Sequence, residues 1–302
     1  VEPRDLVRRV RRIEIATRRA VQGALAGPYH SVFRGRGMEV AEIRAYVPGD
    51  DVRAVDWNAT ARLGHLFVKR FVEERELTVL LLVDLSASTA FGSSSRTKGE
   101  VAAELAALLA MSAVANGDRV GLALFTAEVE RYVPPRKGRK HALRLLSEVL
   151  RFQPRRAGTD LAAPLEFASR VQRRRAVVFL LSDFLGPGPA NGEQPWARAL
   201  RVAARRHDVV PVVLGDRRER ELPPAGLAWI EDPESGAVTR ADLRSPAVRR
   251  ALREAAEADD EGRRRLFAAL DLDAAEVSAD GTDPVAPLLA LFRARARRRA
   301  GR

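Results

Sequence analysis

Thr78-Val79-Leu80-Leu81-Leu82-Val83-Asp84-Leu85-Ser86-Ala87-Ser88 is the stretch whose reading decides the fold. From Thr78 to Val83 the residues are nearly all apolar, and the run stops at a carboxylate. An unbroken apolar run of this length suits a strand covered on both faces. The pattern recurs at Val120–Phe125, Ala176–Leu181 and Val209–Leu214. Helical stretches lie between these runs. Val101, Leu105, Leu108 and Ser112 share one face, as do Leu143, Leu146 and Leu150. Leu161 to Val171 and Pro195 to Arg206 read as two further helices. Strands alternating with helices predict a doubly wound α/β fold around a mostly parallel sheet. Glu128–Val133 follows Phe125 closely and predicts one antiparallel edge strand.

Downstream, an expected turn at Pro233–Gly236 leads to a polar helix from Pro246 to about Leu270. Ala275–Ser278 reads as a last strand. Val285, Leu288, Leu289 and Phe292 recur at helical spacing and predict a final helix packed on the sheet, with its Arg side wet. Upstream, residues 5 to 21 read as a helix with Leu6, Val10, Ile13 and Ala20 on one face and Thr17 as the polar member of that stripe. Between Ser31 and Glu76 the texture changes. Gly35, Gly37, Pro48 and Gly49 punctuate short segments such as Met38–Val47 and Leu66–Val72, which predict a small β-rich block. The expected organisation is residues 1–76 as N-terminal helix plus β-rich block, and residues 77–302 as the α/β domain with its C-terminal helices.

Composition narrows the chemistry. The chain has 302 residues and no Cys, which excludes disulfides, Cys-ligated zinc and thiol nucleophiles. No apolar run approaches the ~20 residues that span a bilayer, and Val1 to Arg19 lacks the apolar stretch of a signal peptide. A soluble, cytoplasmic protein is expected. The formal charge is +12. Of the 52 basic residues only Lys69, Lys98, Lys137 and Lys140 are Lys. Heavy Arg usage follows from a GC-rich genome, so charge alone argues weakly for nucleic acid.

Ligands of open α/β sheets gather outside the carboxyl ends of the strands. Three polar signals fall at such ends: Asp84-x-Ser86-x-Ser88 after the first strand, Gly158-Thr159-Asp160 before a helix, and Ser182-Asp183 after an apolar strand. By strand alternation Asp84, Ser86 and Ser88 face one way. With Thr159 and Asp183 they make a set of hard oxygen donors without imidazole or thiolate. Such a set suits Mg²⁺ or Mn²⁺. Two carboxylates balance the charge without filling the shell, leaving room for a partner's carboxylate.

Asp84-x-Ser86-x-Ser88, Thr159 and Asp183 in this order resemble the metal-ion-dependent adhesion site of von Willebrand factor A domains. The resemblance implies that these five side chains are metal ligands, some through water. The block before it sharpens the likeness. Phe33-Arg34-Gly35-Arg36-Gly37, then Tyr46-Val47-Pro48-Gly49-Asp50-Asp51-Val52-Arg53-Ala54-Val55-Asp56-Trp57-Asn58-Ala59-Thr60-Ala61-Arg62 and Phe67-Val68-Lys69-Arg70, resemble bacterial proteins of domain-of-unknown-function family 58. That resemblance implies a von Willebrand factor A-like fold, a metal site, and a MoxR-type AAA+ ATPase or its client as partner. It implies no reaction.

Plainer readings stand beside these. Asp84, Ser86 and Ser88 can cap a helix, and Asp160 is expected to cap the one that follows it. Asp50, Asp51 and Asp56, with Trp57 and Asn58, are a candidate partner contact or second metal site. Turn chemistry and pairing with Arg53 and Arg62 would also account for the three aspartates. Trp57 is expected to be a buried anchor. His30, His65, His141 and His207 lack motifs and are expected to be structural or superficial. The tail Arg293–Arg302 is a candidate nucleic-acid contact, with a solvated helix end as the alternative.

An enzyme is not expected. Gly-x-Ser-x-Gly and Walker A motifs are absent, Ser86 stands where an aspartyl-phosphate phosphatase has its second Asp, and no general base accompanies the motif. Metal-assisted phosphoester hydrolysis is the catalytic alternative.

Overall fold

The computed structural model describes residues 3–20, 29, 32–33, 39–72, 76–156, 158–186, 194–232, 236–281 and 283–300. Contacts divide the chain into two compact units, Val1–Val32 with Thr78–Arg302, and Phe33–Leu77. The N-terminal helix therefore belongs with the α/β domain and not with the β-rich block. The Arg34–Gly37 segment and most of the turn at Pro233–Gly236 lie outside the described residues.

In the larger unit a six-stranded sheet forms from β3 (Thr78–Asp84), β4 (Arg119–Phe125), β5 (Val129–Arg136), β6 (Val177–Ser182), β7 (Asp208–Gly215) and β10 (Ala275–Ser278). Its order is β10-β7-β6-β3-β4-β5. All neighbours are parallel except β5, which returns antiparallel beside β4. The expected doubly wound sheet with one antiparallel edge strand is thus observed. The order reverses at β3, which lies between β4 and β6. Asp84 pairs in register with Phe125, and Val83 with Leu181. The carboxyl ends of the three central strands therefore finish level with one another, which is where a crevice opens in such sheets.

Both sheet faces are covered, which is why the strands read as apolar runs and not as alternating ones. Leu80, Leu82, Val178 and Leu180 pack in one core with Leu165 and Ala168 of α5 (Ala162–Val171) and with Leu200 and Ala203 of α6 (Ala197–Arg206). On the opposite face lies α3 (Lys98–Ala115), packed against β3 and β4 and covered in turn by α4 (Arg139–Arg151) and α1 (Pro3–Ala20). This double cover buries Ala102, Ala106, Leu109 and Ala113 as well as the expected Val101, Leu105, Leu108 and Ser112. On α4 the buried stripe is Ala142, Leu145, Leu146 and Val149, shifted from the expected Leu143 and Leu150, which are half-buried.

The chain after β7 holds more structure than its Pro-rich sequence suggests. A short helix α7 (Arg217–Arg220) precedes an antiparallel hairpin, β8 (Leu227–Glu231) with β9 (Val238–Asp242). Then come α8 (Pro246–Ala269) and, after β10, α9 (Val285–Ala300). As expected, Leu288 and Phe292 of α9 are buried. Its Arg side is less free than expected, because Arg295 pairs with Asp208 at 2.5 Å and Asp273 at 2.9 Å. Arg298 also pairs with Asp273. No helix among the described residues is long and apolar enough to cross a membrane.

The smaller unit holds β1 (Glu39–Ala45) antiparallel to β2 (Phe67–Val72), joined through a helix α2 (Trp57–Leu63) that the β-rich reading did not include. Helix α2 starts because Asp56 accepts hydrogen bonds from the Asn58 and Ala59 N–H groups, and it stops at Gly64 in the left-handed conformation.

Candidate metal centre

The five residues marked by the sequence are drawn to one end of the sheet, and all are buried. Asp84 is 0% exposed, Ser88 1%, Ser86 2%, Asp183 3% and Thr159 6%. Strand alternation does not carry the first three. The strand ends at Asp84, and Ala87–Ala90 wind into a 3-10 turn. The Ser86 N–H donates to Asp84 Oδ1 at 2.9 Å and its hydroxyl to the same oxygen at 2.6 Å. Ser86 Oγ lies 3.2 Å from Ser88 Oγ. An Asx turn followed by a tight helical turn thus gathers the group, and Thr89 locks it by donating to the Ser86 carbonyl at 2.8 Å.

From β6, the Ser182 hydroxyl donates to Asp84 Oδ2 at 2.5 Å and accepts the Phe184 N–H at 2.9 Å. Asp183 Oδ1 accepts the Leu185 N–H at 3.0 Å. Phe184 takes a left-handed φ of 58°, and its ring is wedged against Trp196 and Phe267 at centroid distances of 5.5 and 5.4 Å. The third loop is pinned by the Asp160 N–H, which donates to the Thr126 carbonyl at 3.1 Å. Gly158, at φ 84°, supplies the left-handed turn that delivers Thr159. Asp160 accepts the Ala162 N–H at 2.8 Å just before α5, but Leu161 and not Asp160 occupies the capping position of that helix, against expectation.

Electrostatics set this cluster apart. Burial, and then the neighbouring Asp183 carboxylate, push the Asp84 carboxyl up to about 7, against hydrogen bonds from Ser182 and Ser86. Sequence reasoning missed Lys98, at the first turn of α3 and fully buried. Its ammonium lies 2.6 Å from Asp183 Oδ2 and also pairs with Glu219 of α7. Burial pulls the Lys98 ammonium down, but Asp183 and Glu219 outweigh it and hold it above the ordinary lysine value.

The residues fit a hard divalent cation. Three hydroxyls and two carboxylates present oxygen donors only. The buried Thr159 hydroxyl has no hydrogen-bond partner, which is costly unless a ligand supplies one. Among the described residues no group of three or more His, Asp or Glu side chains could hold an ion by itself. The hydroxyls are therefore an essential part of any such site.

Asp50, Asp51, Asp56, Trp57 and Asn58 belong to the smaller unit. Asp50 forms a two-pronged pair with Arg44, at 2.6 and 2.8 Å, and accepts the Val47 N–H at 2.9 Å. Asp51 accepts the Arg53 N–H at 2.9 Å, and Asp56 caps α2. Each carboxylate thus serves a local turn or cap, and Asp50 pairs with Arg44. Trp57 corrects the expectation of a buried anchor. It is 69% exposed, because the first turn of a capped helix turns it outward, and Asn58 beside it is exposed as well. Of the histidines, His141 bonds the Val120 carbonyl at 2.9 Å and His207 is buried, while His65 is exposed. His30 lies outside the described residues.

A doubly wound sheet of this order, with a hydroxyl–carboxylate cluster where its central strands end, defines a von Willebrand factor A-like α/β domain. The chain belongs to the family described as "Protein of unknown function DUF58", whose model matches residues 42–262. It is 35% identical over 251 residues to the uncharacterized protein Rv1480 of Mycobacterium tuberculosis, covering 82% of this chain and 77% of that one. It is 31% identical over 220 residues to the magnesium-chelatase 60 kDa subunit of Cereibacter sphaeroides, covering 67% of this chain and 38% of that one. Among solved structures it is similar to a von Willebrand factor type A protein from Catenulispora acidiphila. That match has 16% identity and a TM-score of 0.43, and covers 75% of this chain and 43% of that one. It is also similar to the conserved hypothetical protein BatB from Bacteroides thetaiotaomicron, with 17% identity, a TM-score of 0.44, and 73% and 99% coverage.

Proposed function

We propose that this chain is a metal-dependent protein-interaction module that holds Mg²⁺, or Mn²⁺, at Asp84, Ser86, Ser88, Thr159 and Asp183 and offers it to an acidic side chain of a partner. The observation that carries the reading is a buried, unpartnered Thr159 hydroxyl at the sheet end where the Asp84 and Asp183 carboxylates face each other. When bound, the ion supplies a concentrated positive charge to which an anionic oxygen can bind. The protein's part is to hold the donors in place. Ser182 and the Ser86 backbone orient Asp84, and the Leu185 N–H orients Asp183. No enzymatic step belongs to this reading.

For the partner we propose a MoxR-type AAA+ ATPase or its client, met in the cytoplasm. Support comes from the family match over residues 42–262, and from a relative named as the magnesium-chelatase 60 kDa subunit. Exposed Trp57 and Asn58 supply a second candidate contact surface on the smaller unit. The test is retention of a purified MoxR-type ATPase by the immobilised full chain. Retention is expected in Mg²⁺ and is expected to disappear with chelator and in Asp183→Ala. Retention that survives both changes would mean that the partner does not use the cation.

A further inference from the structure

A buried ammonium is not what a cation-binding cluster calls for. Lys98 opens α3, where the helix already presents the positive end of its dipole, and its side chain is 0% exposed. A charge so placed must be matched by carboxylates. Its Nζ is shared between Asp183 Oδ2 at 2.6 Å and Glu219 Oε1. Only the first of these carboxylates belongs to the candidate ligand set.

Both anchors of this arrangement are built in. The Lys98 backbone is fixed by a capping box between Thr97 and Glu100, and its N–H donates to the Phe91 carbonyl at 2.9 Å. The loop between Phe91 and Lys98 is so tight that a Cβ on Gly92 would fall 2.2 Å from the Arg96 carbonyl oxygen. Glu219 is equally fixed. Its Oε2 accepts the Asp216 N–H at 3.0 Å, and Asp216 accepts the Arg218 N–H at 2.8 Å and the Ser93 N–H at 2.7 Å. Between these two fixed anchors the lysine ammonium has two carboxylate partners, Asp183 and Glu219.

Resting on the metal reading above, we propose that Lys98 is a tethered cation that competes with the divalent ion for Asp183, and that Glu219 is the seat onto which it withdraws when the ion binds. Like charges a few ångströms apart in a low-dielectric site repel strongly. With the ammonium on Asp183, the ligand set carries one effective negative charge fewer. Ion affinity is therefore set below what the five donors alone would give. Binding of the ion shifts the ammonium towards α7, so the segment after β7 senses occupancy of the site.

Calorimetric Mg²⁺ titration of the full chain tests this, on wild type, Lys98→Met, Glu219→Gln and the double variant, with Asp183→Ala as the blank and circular dichroism as the check of folding. Lys98→Met is expected to bind about tenfold tighter or more. Glu219→Gln is expected to bind roughly tenfold weaker, because the ammonium loses its second seat. In the Lys98→Met background the Glu219 change should have little further effect, since Glu219 acts through the lysine. Where Lys98→Met does not fold, the double variant, which removes both charges, carries the comparison and must bind more tightly than wild type.

Equal or weaker binding by the lysine variants overturns the inference. So does an equal Glu219 effect in both backgrounds, which would make that residue an ordinary nearby charge. Both results leave the metal reading intact as long as wild type binds and Asp183→Ala does not. Absence of binding in wild type and in every lysine variant overturns the metal reading and this inference with it.

Discussion

Phe267→Ala is expected to lower stability by about 3–5 kcal/mol and to weaken Mg²⁺ binding at the same time. Phe267 is 4% exposed at the end of α8 and meets Phe184 edge-on at 5.4 Å and Trp196 at 6.3 Å. Truncation removes a ring from a packed cluster and leaves a cavity that the strands beneath cannot fill. The second effect follows from what the cluster holds. Phe184 sits at φ 58°, a conformation disfavoured for a side chain of its size, and its ring packs against Trp196 and Phe267. Its N–H binds Ser182 Oγ, which in turn donates to Asp84. A loosened ring loosens the turn that aims Asp183 and the hydroxyl that orients Asp84. Urea denaturation and calorimetry read the two effects separately. A stability loss with Mg²⁺ affinity unchanged would show that the aromatic cluster does not support the site.

Thr159→Val is expected to act in opposite directions on fold and function. Valine keeps the shape and branching of threonine and deletes a buried hydroxyl that lacks a partner. An unsatisfied buried hydroxyl costs about 1–3 kcal/mol, so the ion-free variant should be more stable than wild type by about 1 kcal/mol. In Mg²⁺ the order should reverse, because a lost donor weakens binding by about tenfold or more. An ion present at a hundred times its Kd adds about 2.7 kcal/mol of stability to a protein that binds it, and that increment should shrink in the variant. Urea midpoints with and without Mg²⁺ measure both signs. A variant that loses stability without Mg²⁺ and gains as much as wild type from it would mark Thr159 as an ordinary structural residue.

The sheet was legible because its strands are covered on both faces. Burial on both sides leaves apolar runs such as Val120–Phe125 and Val177–Leu181 that need no structure to be seen. Residues 84, 86, 88, 159 and 183 were legible because hydroxyls and carboxylates are out of place directly after such runs. How they converge was not legible, since an Asx turn and a 3-10 turn leave the same spacing as an extended strand.

Lys98 and Glu219 were hidden for a different reason. They are 121 residues apart and meet only because α3 follows β3 and α7 follows β7, the strands on either side of β6, whose end carries Asp183. One signal was available. In a chain that uses Arg for all but four of its 52 basic residues, a lysine retained at a helix start invites the question of what needs a compact ammonium there. Trp57 misled because its size suggested burial, whereas the cap at Asp56 determines which way it points.

The measurement closest to the central claim is a calorimetric titration of the full chain with Mg²⁺ and Mn²⁺, repeated on Asp84→Ala. A single site for either ion is expected in wild type, and none in the variant, which keeps only Asp183 as a carboxylate donor and leaves that one against the Lys98 ammonium. Equal binding by wild type and variant, or none by wild type and by Lys98→Met alike, would contradict the central claim.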